Sequence, residues 1–445
     1  MFSIRKPDQK ILKLTFPIFI ELVLQILVGN ADQIMVGWRD PNGVGAIGNA
    51  NQVTNLVLIV FSVICIASTV LIAQYLGAGD THALGSLYTV SVLVNLVAGV
   101  LVSLLLLFGA GPIFTLMQVK QEFFDQACLY LRIVGGGMCL QALFLTFTAF
   151  FRSNQMMMES MVVSVVVNVL NLAGNALLIN GAFGLPALGV AGAAISSVVS
   201  RAVGLVVIAI LFVRRLGPMI SLRFLRPFPR DPFRRLMHLG IPSSGESLSY
   251  NLSQVVVQTF CNGFAAYMVN ARVYANLFAM ISYLFASAIA QAAQVLVANL
   301  LGAGDADGAD RRVKSTLLSA VTVSGAVSLL LFLLSRPLYG LFTQDGDILS
   351  LCSTIMLVEI PLELGRAVNL VMGRALQSAG DIRFPILIGV TGTWLVAIGG
   401  AYLLGRVLGL GLVGVWIAMA CDECLRAGLF LLRWRQGAWK TKRLI

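Results

Sequence analysis

Twelve stretches of this chain are apolar over about 20 residues or more, the length of helix that crosses a hydrocarbon core of about 30 Å. They fall near 13–36, 52–75, 87–110, 128–151, 159–180 and 188–213, and again near 238–262, 270–298, 314–343, 350–375, 384–405 and 410–432. A soluble fold could not hide so much apolar surface: 58% of the 445 residues are hydrophobic and 11% charged, against about 25% charged in an average soluble protein. A spanning β-barrel would alternate apolar and polar positions, and runs such as Val92 to Phe108 do not. The sequence therefore predicts an all-α polytopic membrane protein with twelve transmembrane helices. The first run carries Pro17, Glu21 and Asp32 and no convincing cleavage site, so it reads as helix one and not as a removable signal peptide.

Basic residues orient the chain. Arg5, Lys6, Lys10 and Lys13 open it, seven arginines lie between Arg214 and Arg235, Arg311, Arg312 and Lys314 follow the eighth run, and Arg433, Arg435, Lys440, Lys442 and Arg443 close it. An even helix count puts all four clusters on one side, so both termini are expected in the cytoplasm. Topology thus accounts for the net charge of +11 without a nucleic-acid partner.

The chain repeats itself. Ala73-Gln-Tyr-Leu-Gly-Ala-Gly-Asp80 returns as Ala298-Asn-Leu-Leu-Gly-Ala-Gly-Asp305, a displacement of 225 residues that also relates Pro17 to Pro242, Glu21 to Glu246 and Ser153 to Ser378. Leu188-Gly-Val-Ala-Gly-Ala-Ala-Ile195 matches Leu410-Gly-Leu-Val-Gly-Val-Trp-Ile417 at a displacement of 222. Repeats with an even number of helices enter from the same side and are parallel, which predicts two six-helix bundles around a central cleft. The expected lobes are 1–213 and 238–445, joined by a basic cytoplasmic linker, 214–237. Such a pair can work by alternating access. No GxxxxGK[ST] phosphate loop is present, so energy would come from an ion gradient. No nucleophile, base and orienting group stand together, which argues against an enzyme. Two histidines and an isolated Cys421-Asp-Glu-Cys424 argue against a cofactor or a cysteine metal centre.

Ionisable side chains inside a membrane cost about 2.5–3.5 kcal/mol each, so each needs a partner or a function. In the first run Glu21 either faces cytoplasmic water or works inside, while Asp32 lies deeper. Asn168, Asn171 and Asn175 in the fifth run, at i, i+3 and i+7, share one helix face. Either they bond helix to helix, or they line an oxygen-rich pocket that holds Na⁺ or protonates Asp32. In the second half Glu246, Glu359, Glu363, Arg366, Asp422, Glu423 and Arg426 form a charge network, with Glu363 to Arg366 and Asp422 or Glu423 to Arg426 spaced to pair. That network is either a set of structural ion pairs or a gating or proton-relay element.

These features together resemble the multidrug and toxic compound extrusion (MATE) family over nearly the whole chain. The resemblance rests on Pro17 with Asp32 in Asn-Ala-Asp-Gln-Ile-Met-Val-Gly37, the paired Leu-Gly-Ala-Gly-Asp80 and Leu-Gly-Ala-Gly-Asp305 segments, Leu188 to Ser197, and Arg433-Trp-Arg-Gln-Gly-Ala-Trp439. It implies a coupling-ion site at Asp32, Asn171, Asn175, the Ala193 carbonyl and Ser197, with Pro17 as the hinge of a bent first helix and Na⁺ or H⁺ as the ion. Some members have an aspartate where this chain has Asn175, which favours Na⁺ or a single protonation here. One branch uses carboxylates in helices seven and ten. Here Arg366 precedes Asp381 by fifteen residues and Glu246 follows Pro242 by four, a poor match to that second cation site. The family also implies a bacterial inner-membrane exporter of amphipathic, often cationic drugs that confers antibiotic resistance, and two fused lobes make an internally complete monomer the expected working unit. The alternative is a lipid-linked oligosaccharide flippase of the same superfamily, whose cationic cleft Arg132, Arg201, Arg272 and Arg366 could furnish.

Overall fold

The computed structural model describes residues 9–181, 184, 186–442, 444 and 445; Arg5, Lys6 and Arg443 of the basic clusters lie outside them. No strand occurs among the described residues. In chain order the helices are α1 (Gln9–Gly37), α2 (Pro41–Ala78), α3 (Thr81–Leu116), α4 (Gln121–Gly136), α5 (Met138–Ser153), α6 (Met157–Asn180) and α7 (Val190–Leu216). After a short 3-10 turn, Leu222–Leu225, come α8 (Arg230–Cys261), α9 (Ala266–Gly302), α10 (Ala306–Leu333), α11 (Ser335–Gly340), α12 (Gly346–Ser378), α13 (Arg383–Thr391) and α14 (Gly411–Arg435). Past α13 the chain continues as two π-helical segments, Gly392–Ile398 and Ala401–Val407.

Twelve crossing elements result. Among the described residues nine are long and apolar enough to cross a membrane alone, α13 being counted with its π-helical extension, and α4 with α5, bent by 48° at Gly137, makes one more. The other two, α8 and α14, are helical where apolar runs predict them, but the Ser, Asn and Gln residues around Glu246 in α8 and the charges from Asp422 to Arg435 in α14 lower their hydropathy. Helix α8 begins at Arg230, eight residues before its apolar run, so the expected linker is partly helical. The chain divides into two compact units, Ile20–Ile241, and Pro242–Ile445 together with the start of α1 up to Phe19. In the first, Ile47, Phe61, Phe114 and Leu131 pack in an apolar core, and Tyr88, Phe147, Phe150 and Phe212 meet largely edge to face. In the second, Cys261, Tyr339, Ile355 and Trp416 fill one core and Met372, Leu376, Trp434 and Trp439 another.

The duplicated motifs are punctuation with a physical cause. Gly79 and Gly304 adopt φ of 73° and 78°, left-handed values that end α2 and α9, and glycine reaches them without a Cβ clash. Asp80 and Asp305 then start the next helix: each Oδ1 accepts from a backbone N–H three residues on, Ala83 at 2.9 Å and Gly308 at 2.7 Å. Both Leu-Gly-x-x-Gly motifs work alike. Gly189 and Gly411 take φ of 54° and 56°, while a Cβ on Gly192 would sit 2.6 Å from the Leu178 carbonyl oxygen and one on Gly414 2.7 Å from that of Leu404. Gly192→Ala is therefore expected to push α7 off α6 and cost about 1–3 kcal/mol, read as a lower melting midpoint in detergent. An unchanged midpoint would show that the contact is slack.

The basic, aromatic C-terminus is a clamp. Asp381, fully buried past the end of α12, accepts from Arg433 Nε at 2.7 Å and Lys442 Nζ at 2.5 Å. Arg433 lies 4.9 Å from the Phe384 ring centroid, Trp434 stacks on Trp439 at 4.1 Å, and Trp434 Nε1 donates to Asp310 Oδ1 at 2.9 Å. Burial pushes the Asp381 carboxyl up, but the two cationic donors outweigh it and hold it below its ordinary value. A carboxylate depressed in the folded state stabilises fully above its unfolded value, about pH 4, and loses that contribution as pH falls through the folded one. Asp381→Asn should therefore flatten the acid limb of a stability profile while lowering stability at pH 7.

Candidate functional site

In the first unit, helix spacing delivers four groups to one point. Asn171 and Asn175 lie one turn apart on α6, Ser197 faces them from α7, and Asp32 comes from α1. Asn175 Nδ2 donates to Asp32 Oδ1 at 2.5 Å, while Ser197 Oγ at 2.9 Å and Tyr130 OH at 3.1 Å donate to Asp32 Oδ2. Asn171 Nδ2 donates to Ser197 Oγ at 3.0 Å and its Oδ1 accepts from Asn175 at 3.5 Å, closing a ring. All of these side chains are buried. Asn175 Oδ1 is buried with no donor, a free hard oxygen beside a carboxylate. Ala193 is buried one turn ahead of Ser197, outside the bonded ring among the described residues.

The ring borders a cavity of about 740 Å³ whose lining includes the amides of Asn30, Asn51, Gln141 and Asn168. Arg201, one turn after Ser197, also lines it, and its Nη1 is buried without a partner. Sequence reasoning missed Tyr130, a single hydroxyl in the fourth run with no spacing to betray it. Glu21 does not face water. It is 2% exposed, paired with Arg152 at 2.8 Å and bonded by Ser160 and Ser164, because an unpaired carboxylate at that depth would be too costly. Pro17 lies inside α1, which continues as one helix through it; the boundary between the units falls just after it, between Phe19 and Ile20.

In the second unit Arg366 pairs with Glu363 and lies 3.9 Å from Glu359 and 3.6 Å from Glu423. Arg426 holds Asp422 at 2.7 Å and Glu423 at 3.0 Å. Neutral donors complete the network: Trp416 Nε1 to Glu359 at 2.6 Å and Asn369 Nδ2 to Glu423 at 2.7 Å. Glu246 stays outside it, accepting one bond of 3.3 Å from Gln377. Of the arginines that could furnish a cationic cleft, Arg132 is exposed, Arg272 donates to the Val257 carbonyl and the Cys261 sulfur, and Arg366 is taken up by the network. Cys421 and Cys424 are exposed, and no cluster of metal-ligating side chains occurs among the described residues.

The MatE family profile matches this chain twice, over residues 17–177 and 242–403, and the two matches start 225 residues apart, the displacement of the internal repeat. The chain is 36% identical to the uncharacterized transporter YisQ of Bacillus subtilis, over 99% of this chain and 97% of that protein. It is 25% identical to the "Probable multidrug resistance protein NorM" of Thermotoga maritima, over 98% and 94%. A crystal structure of MATE in the straight conformation superposes with a TM-score of 0.87 over 98% of each chain at 22% identity, which speaks to the fold. A profile matched in both halves, together with a relative aligned along its whole length, places this chain in the MatE family of multi-pass membrane transporters.

Proposed function

We propose that the protein is a cation-coupled antiporter of a bacterial inner membrane, exporting amphipathic, aromatic and often cationic compounds in exchange for Na⁺ or H⁺. The observation that carries the reading is the Asp32 ring: one buried carboxylate, three polar donors and an unused amide oxygen at Asn175. A half-turn of the Asn175 amide exchanges its N–H for that oxygen, and Asp32, Asn175, Asn171 and Ser197 then present the hard oxygen donors that Na⁺ prefers. Alternatively a single proton on Asp32 discharges the ring. Either event changes the packing of α1 against α6 and α7, and the unit boundary near Pro17, where the ring cannot donate a backbone hydrogen bond, makes that part of α1 the hinge. The cargo class rests on relatives named multidrug resistance proteins. On this reading both termini are cytoplasmic, the exporter works as a monomer, and it needs neither cofactor nor nucleic acid.

Ethidium export, measured with Na⁺ and pH gradients imposed separately, tests the proposal. Export that follows one gradient supports it and names the ion. No gradient-dependent export of any of several cationic dyes overturns it.

A further inference from the structure

The second unit contains a cavity of about 280 Å³ that the Asp32 reading does not use, lined from α8, α9, α12, α13 and α14. On one wall Glu423 is held by Arg426, Arg366 and Asn369. Two other charges in the lining are not so held. Glu246, on α8, accepts only the 3.3 Å bond from Gln377, and Arg374, on α12, makes no hydrogen bond or ion pair among the described residues. No ion pair within 4 Å joins them across the cavity they both line. The separation is built in. A Cβ on Gly389 would sit 2.7 Å from Glu246 Oε1, so a glycine there leaves the carboxylate its place beside α13. Just beyond, at Gly392, the backbone turns π-helical, a distortion frequent at functional sites, and Thr393 of that segment lines the cavity. Arg426, 7% exposed, also lines the cavity and has its Nε without a partner.

We infer that this cavity is a binding site for a small zwitterion, an amino-acid-like molecule whose ammonium group is taken by Glu246 and whose carboxylate is taken by Arg374. An ion without its counter-charge is costly at low dielectric, and a zwitterion supplies both counter-charges at once. A ligand with a single charge satisfies one wall and leaves the other uncompensated. The volume lies just below the roughly 300–1,000 Å³ of sites for drug-sized ligands, which fits a molecule of amino-acid size. Tyr250, Val390 and Phe430, also in the lining, offer surface to a side chain. The inference concerns a different unit from the Asp32 ring and stands or falls independently of the antiport reading.

The test uses the purified full-length protein in detergent and its melting midpoint in the presence of glycine, L-serine, L-glutamine and L-leucine, each beside its methyl ester and its N-acetyl derivative. At least one free zwitterion should raise the midpoint saturably, and both of its singly charged derivatives should bind at least about tenfold more weakly. Glu246→Gln should abolish the preference for the free amine, and Arg374→Gln the preference for the free carboxylate. The derivatives need no mutation, so the comparison survives a variant that fails to fold. The inference is overturned if none of the four zwitterions shifts the wild-type midpoint at about 10 mM, or if esters and N-acetyl derivatives act as well as the free forms.

Discussion

Asp32→Asn is expected to reduce gradient-driven export to the level of vesicles lacking the protein, while the variant still folds. The substitution keeps the shape of the side chain and removes its charge. One of the three donors now on the carboxylate, from Asn175, Ser197 and Tyr130, will face an N–H instead of an oxygen, and the ring re-forms around one reversed bond. Coupling does not survive that change. A cation held by amide and hydroxyl oxygens alone loses its one full counter-charge, worth about 1.5–3 kcal/mol or roughly 10–100-fold in affinity, and no proton can be carried at that position. Stability should change little, because a buried charge is replaced by a neutral group of the same size. Export by this variant against a substrate gradient would sink the mechanism; loss of the protein from the membrane would mean that Asp32 also maintains the fold.

The second large effect is on stability. Arg366→Leu removes the guanidinium that faces Glu359, Glu363 and Glu423, and leaves the buried Glu359 and Glu363 without their nearest counter-charge, while Glu423 keeps Arg426. Breaking a buried ion pair from one side costs about 3–5 kcal/mol, so the variant should melt far below the parent or fail to accumulate. A second change separates lost charge from lost shape: Arg366→Leu with Glu363→Leu removes both partners of the closest pair and should recover a large part of the deficit. If Arg366→Leu alone stays within about 1 kcal/mol of the parent, the network is not what holds α12 against α14.

The residues differ in how legible their roles were. Asn171 and Asn175 declared a shared face by their spacing, and Asp32 stood out as a carboxylate in an apolar run, so most of the ring could be read along the helices that carry it. Tyr130 could not, since its only relation to Asp32 is spatial, across 98 residues of chain. Glu21 kept two readings open for the same reason: its partner Arg152 sits at the end of α5, where helix periodicity says nothing about α1. In the second half, local i, i+3 and i, i+4 spacing was enough for Glu363 with Arg366 and for Asp422 or Glu423 with Arg426. It was not enough for Glu246 and Arg374, which line one cavity from different helices without pairing. The break between α4 and α5 was hidden because the apolar run continues through Gly137. The basic C-terminal stretch read as a signature, and only folding showed that Asp381 is what it grips.

The twin glycines give this protein an internal control. Gly192 and Gly414 occupy matching places in the two repeats, each against the carbonyl of a preceding helical residue, but that residue is in regular α-helix at Leu178 and in π-helix at Leu404. The same methyl group added at both sites meets the same chemistry in two backbones of different compliance. The difference between the two costs measures how much strain a π-helical wall absorbs that an α-helical one passes on, in one molecule, one detergent and one melting experiment.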